Sequence, residues 1–73
     1  MAKYDCKQIK CYDKENKLIC ILDCDFVTVS VWNKECEYYT IHLYKTHYDR
    51  QYDIKYNEMT GSVFCYKYVL EGD

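Results

Sequence analysis

Six cysteines and two histidines are the side chains here best suited to chemistry: Cys6, Cys11, Cys20, Cys24, Cys36 and Cys65, with His42 and His47. Thiolate and imidazole are the usual ligands of zinc, so a metal site is the first reading to weigh. The spacing works against it. Cys20 and Cys24 stand four residues apart, which on a strand separates them by about 13 Å. Ligands of one tetrahedral ion must converge within about 4 Å. No C-x2-C turn occurs, and a chelating pair would need a sharp bend at Leu22-Asp23. The expectation is buried thiols behaving as small hydrophobes, with no metal and no cofactor.

A cysteine nucleophile activated by His42 or His47 is the second reading. No glycine-rich turn marks an oxyanion hole, and no helix start stands ready to lower a thiol pKa. His42 alternates with Ile41 and Leu43, which places it on the opposite strand face, toward solvent. Paired carboxylates occur at Asp23 and Asp25 and at Glu35 and Glu37, but acid–base work needs a cleft that separates their pKa values. A P-loop, a dinucleotide fingerprint, a serine elbow and an EF-hand loop are all missing. An enzyme is not expected.

The positive signal is aromatic: ten tyrosines, two phenylalanines and one tryptophan in 73 residues. Tyrosine joins an apolar ring to a polar tip, so it serves a core edge or a wet interface equally well. If Tyr39, Ile41 and Leu43 face the core, then Tyr38, His42, Tyr44 and Tyr48 share the other face. Phe26 and Trp32 flank the polar face of the segment Phe26-Val27-Thr28-Val29-Ser30-Val31-Trp32 and would extend the same surface if the two strands pair. A soluble monomer rarely leaves so large an apolar surface bare. The expected protein-binding residues are therefore Phe26, Trp32, Tyr38, His42, Tyr44 and Tyr48. A curled sheet burying both faces, or a helix lying over this one, is the competing explanation.

These residues need a scaffold, and the pattern points to strands. Val27, Val29 and Val31 alternate with Thr28 and Ser30, so their valine face should look inward. Leu18, Ile19, Cys20, Ile21 and Leu22 run without a break, as in a strand buried on both faces. The turn-forming Asp13-Lys14-Glu15-Asn16 joins Tyr4–Tyr12 to that strand as a hairpin. Asn33-Lys34-Glu35 makes another turn. Strand segments follow over 36–48, 52–56 and 62–70, with 57–61 as a hairpin loop in which Gly61 takes positive φ. The fold expected is all-β, a small antiparallel sheet or curled barrel of five to six strands. The alternative is α+β with one helix within 34–58, because Tyr48, Tyr52, Tyr56 and Met59 also recur at helical spacing. A single domain over 1–73 is expected, close to the lower size limit for a core without staples.

Charge excludes more than it identifies. Twelve acidic and ten basic residues are interspersed, for a net charge of −2. That leaves no basic stripe for duplex DNA. Aromatic platforms do stack on single strands, but there too the scattered lysines disfavour nucleic acid. No run approaches the roughly 18 apolar residues of a membrane span. The sequence opens Met1-Ala2-Lys3 with no apolar signal region, so a cytoplasmic protein with reduced thiols is expected. Lysine outnumbers arginine nine to one and proline is absent, as AT-rich coding would give.

In type, though in no motif, this profile is similar to that of many small phage proteins, which often block a host or defence protein by covering a surface. The expectation is a non-enzymatic binding protein of that kind, with a larger protein as target. A homodimer through an edge strand is a further expectation. The alternatives are a nucleotide or single-stranded nucleic-acid module, and a disulfide-stapled secreted domain.

Overall fold

The computed structural model describes residues 2–72, and among them every regular element is a strand. Seven occur: β1 (Ala2–Asp5), β2 (Gln8–Tyr12), β3 (Leu18–Asp23), β4 (Phe26–Val29), β5 (Tyr39–Asp49), β6 (Ile54–Cys65) and β7 (Lys67–Glu71). They form a four-stranded sheet in the order β1-β4-β5-β6 and a three-stranded sheet in the order β3-β2-β7, with every pairing antiparallel. The all-β expectation holds. The sheets do not close into a barrel, and the helix allowed within 34–58 is absent. The count exceeds five to six because two expected runs split between the sheets, the N-terminal one at Cys6-Lys7 into β1 and β2 and the 62–70 run at Tyr66 into β6 and β7. The expected 52–56 strand joins the start of that second run as one strand, β6.

Alternation decides which faces meet. Val27, Val29, Ile41, Leu43 and Cys65 from the larger sheet pack against Ile9 and Cys11 of the smaller one. Ile9, Cys11, Val27 and Ile41 are fully buried. Cys20, Leu22, Leu70, Tyr39, Val63 and Tyr68 close the margin of this core. Cys6 and Cys24 sit buried at two of the corners where the chain crosses between sheets. The thiols are thus core filler, small enough to let the two layers approach.

Two expectations about burial are corrected. The valine face ends with β4, and Val31 is 81% exposed, since the chain leaves the sheet at Ser30. The run Leu18–Leu22 is not buried on both faces: β3 is an edge strand of a three-stranded sheet, and Leu18, Ile19 and Ile21 are about half exposed. A bulge at Ile19 shifts its register against β2. Continuous apolar sequence reads as a doubly covered strand only when a layer lies on each side, and here only one does.

All three hairpin turns use one device. The side-chain Oδ1 of Asp13, Asn33 and Asp49 accepts hydrogen bonds from backbone N–H groups two to four residues ahead. Each turn then closes on a residue with positive φ: Asn16, Glu37 or Asp53. Asn and Asp tolerate that region best, so Glu37 is the strained member. The last turn therefore lies at 50–53, and the expected hairpin loop at 57–61 is instead the middle of β6. Gly61 has no positive φ. It sits opposite Leu43 beside a bulge at Thr60, where β6 bends as it leaves the sandwich.

Beyond that bulge β5 and β6 run on alone. The three-stranded sheet has strands of only five or six residues, against eleven and twelve in this hairpin. Past Leu43 the inner face has no layer over it, and its register pairs become Lys45–Glu58, His47–Tyr56 and Asp49–Ile54. The result is a projecting arm on a molecule with extents of 46 × 23 × 16 Å.

Candidate protein-binding face

The outer face of the four-stranded sheet collects most of the aromatic residues singled out from the sequence. Residues opposite one another in an antiparallel pair project to the same side. One row across the sheet reads Asp5, Phe26, Tyr44, Met59, and the next Lys3, Thr28, His42, Ser62. Thr40 with Phe64 follows on one side, and Thr46 with Asn57, then Tyr48 with Lys55, on the other. From Tyr38 to Tyr48 this surface runs about 33 Å.

Its centre is built from stacked groups. The rings of Phe26 and Tyr44 lie parallel with centroids 4.6 Å apart, and the Lys3 ammonium stands 4.5 Å from the Phe26 ring. Tyr38 meets Phe64 edge-on at 5.2 Å. Phe64, Met59 and Tyr48 are each more than half exposed. Beneath them, Thr28 and His42 face each other in register, and the buried Thr28 Oγ1 and His42 Nδ1 both lack a hydrogen-bond partner. Such orphaned atoms cost about 1–3 kcal/mol each. His42, expected to be solvated, is in fact half-buried between its strand neighbours.

Five of the six expected face residues are thus brought to this surface: Phe26, Tyr38, His42, Tyr44 and Tyr48. Trp32 is not. It lies beyond the end of β4 and packs on Tyr39 at 4.8 Å and Tyr66 at 5.3 Å, while Tyr39 meets Tyr68 at 5.2 Å. These four rings with Lys67 line an open hollow of about 710 Å³. Lys3, Met59 and Phe64 were missed as face residues. Phe64 and Met59 fall on it because the bulge at Thr60 resets the alternation of β6, which no local pattern announced.

At the foot of the arm the Asp25 carboxylate accepts a hydrogen bond from the Thr46 backbone N–H, and the Asp25 N–H donates to Tyr44 O at 2.9 Å. The Thr46 contact holds the Asp25 carboxyl below its ordinary range. A depressed carboxylate pKa adds stability that is complete above the unfolded value and lost as pH falls through the folded one. The Thr46 amide resonance is therefore expected to stay constant down to the usual aspartate range and shift only below it. A midpoint at or above the ordinary aspartate pKa would show that the bond does not form.

The thiols sit away from the histidines. Contact with the Cys65 sulfur, and then burial, pushes the Cys11 thiol up. Burial, followed by contact with Cys6, pushes Cys24 up to about 12. Raised thiols are poor nucleophiles at neutral pH. His42 lies on the outer face, across the sheet from the buried cysteines, and His47 pairs with Glu58 at 2.8 Å on the arm. Cys36 is exposed on the turn before β5. Among the described residues, no three His, Cys, Asp or Glu side chains converge as a metal cluster, and no helix is long and apolar enough to cross a membrane. Comparison with protein-family models, with curated proteins and with solved structures finds no match to this chain.

Proposed function

We propose that this chain is a small, non-enzymatic binding protein that covers a surface of a larger protein with the outer face of its four-stranded sheet. The observation that carries this reading is the uncovered row of Phe26, Tyr44 and Met59 beside Tyr38 and Phe64. Aromatic residues and Met are enriched at interface centres, and a few of them dominate binding energy. The Phe26–Tyr44 stack is already formed, so little ordering entropy is lost when a partner docks. Likeness in type to small phage proteins supports the finer reading: an inhibitor of a host or defence protein, acting in the host cytoplasm. The β6 edge, twelve residues long and unpaired on its outer side, is the natural route to a homodimer.

Affinity capture from the native host supplies the partner, and titration calorimetry with the purified partner tests the face. Tyr44→Ala and Phe64→Ala are each expected to weaken binding by roughly 30-fold, the scale of a hot-spot residue. Ile21→Ala, on the exposed side of the other sheet, should leave it unchanged. Folded Tyr44 and Phe64 variants that bind like the parent would remove this face from consideration.

A second reading rests on the Trp32, Tyr39, Tyr66 and Tyr68 hollow, where a base could stack while Lys67 meets a phosphate. Trp32 is the only tryptophan, so its fluorescence reports on this hollow directly. Salt-sensitive quenching by oligothymidylate or ATP, lost in Lys67→Ala, would favour a nucleotide module. An unchanged spectrum would dismiss it.

A further inference from the structure

We propose that Cys6 and Cys24 form a redox modification site, which a small-molecule disulfide converts to an intramolecular disulfide joining two corners of the sandwich. This goes beyond the binding role and stands independently of it. Cys6 lies between β1 and β2 and Cys24 between β3 and β4, so each residue sits where the chain passes from one sheet to the other. The corners are already tied by backbone bonds from Cys24 N to Lys7 O at 3.1 Å and from Cys6 N to Asp25 O at 3.4 Å. The two sulfurs stand 3.1 Å apart. A disulfide needs about 2.0 Å, so closure asks for a movement of roughly 1 Å between side chains whose backbones are held together.

Access is also provided. Cys6, though only 5% exposed, lines a surface depression of about 240 Å³ together with Asp5, Lys7, Asp25 and Gly72, so it is the sulfur nearer the surface. Cys24 lies behind it, 2% exposed. The other thiols lack this arrangement. Cys11 is fully buried, facing the half-buried Cys20 in register and touching Cys65, and Cys36 stands alone on an exposed turn.

The chemistry balances with a disulfide RSSR as oxidant. Cys6, as thiolate, attacks one sulfur of RSSR, forming the Cys6–SR bond and releasing RSH once the leaving thiolate takes up a proton. Cys24 then loses its proton and displaces the second RS group from Cys6, closing the Cys6–Cys24 bond and releasing another RSH. Two protein thiols together lose two protons and two electrons, and one RSSR becomes two RSH. Because Cys24 holds its proton tightly, the closing step should quicken as pH rises from 7 toward 10.

The test uses the full chain carrying Cys36→Ser, incubated with oxidised glutathione, followed by intact mass and non-reducing peptide mapping. The expected product is two hydrogens lighter, with Cys6 linked to Cys24. Its thermal midpoint should exceed that of the reduced form by on the order of 10 °C, given a closed loop of this length. Adding Cys24→Ser should stop the reaction at a glutathione adduct on Cys6. A bridge mapping to Cys11 with Cys20 or Cys65 would overturn the assignment. So would a folded protein whose Cys6 and Cys24 remain fully alkylatable after oxidation and unfolding.

Discussion

Ile41→Ala is expected to lower the free energy of unfolding by about 2–5 kcal/mol, the range for emptying a fully buried aliphatic position. Ile41 lies at the middle of the larger sheet, with Val29 and Val63 as its register neighbours on the same face. It belongs to the core shared with Ile9 and Cys11 of the other sheet. Removing three carbons leaves a space walled by β-branched and thiol side chains, which have few rotamers with which to collapse into it. A domain of this size holds only a few kcal/mol in reserve. A urea titration followed by far-UV circular dichroism should therefore find much of Ile41→Ala unfolded before denaturant is added. A loss below 1 kcal/mol would mean that the two sheets do not meet at this point.

The second large effect is expected at Tyr39, where Tyr39→Ala should cost about 3 kcal/mol or more, as aromatic truncations do. Tyr39 is only half-buried, so burial alone understates its part. Its ring touches Trp32 on one side and Tyr68 of β7 on the other, which links the two sheets at the end of the sandwich that Cys6 and Cys24 do not close. Each such ring pair adds about 0.5–1.5 kcal/mol beyond the area it buries. Tyr39→Phe keeps both contacts and should be nearly neutral, because its hydroxyl forms no hydrogen bond among the described residues. The check is thermal unfolding together with Trp32 emission, which should shift to the red in the alanine variant and stay in place in the phenylalanine one. Equal stability of the two variants would show that this end of the sandwich holds without the ring chain.

Much of the fold was legible because period-two alternation is a direct record of one buried face. Val27 and Val29 faced inward as read, and Ile41 and Leu43 likewise, with Tyr38, His42 and Tyr44 set on the other side. The turns at Asp13 and Asn33 were visible because their side chains can hydrogen-bond the backbone ahead of them. What failed was anything set by partners distant in sequence. Nothing local says that β1 and β2 part company at Cys6, or that β3 is an edge. Gly61 misled because glycine is permissive without being required, and the turn it was thought to mark lies at 50–53, where Asp49 and Asp53 do the work. The loss of inward hydrophobes after Leu43, where Lys45 and His47 follow, was a readable sign that the second layer ends there. Trp32 was misplaced for the same reason as Val31: the strand stops at Val29, and alternation carries no information past the last paired residue.

The pairing of β2 with β7, in which Gln8 lies beside Glu71, also bears on how this molecule is made. A ribosome releases β2 long before β7 exists, so the smaller layer waits with Ile9 and Cys11 uncovered on one flank. Sequence-distant pairing of this kind slows folding. During synthesis the waiting strand is a target for chaperones, and a nascent chain stalled before Lys67 should be captured by them far more readily than the released product.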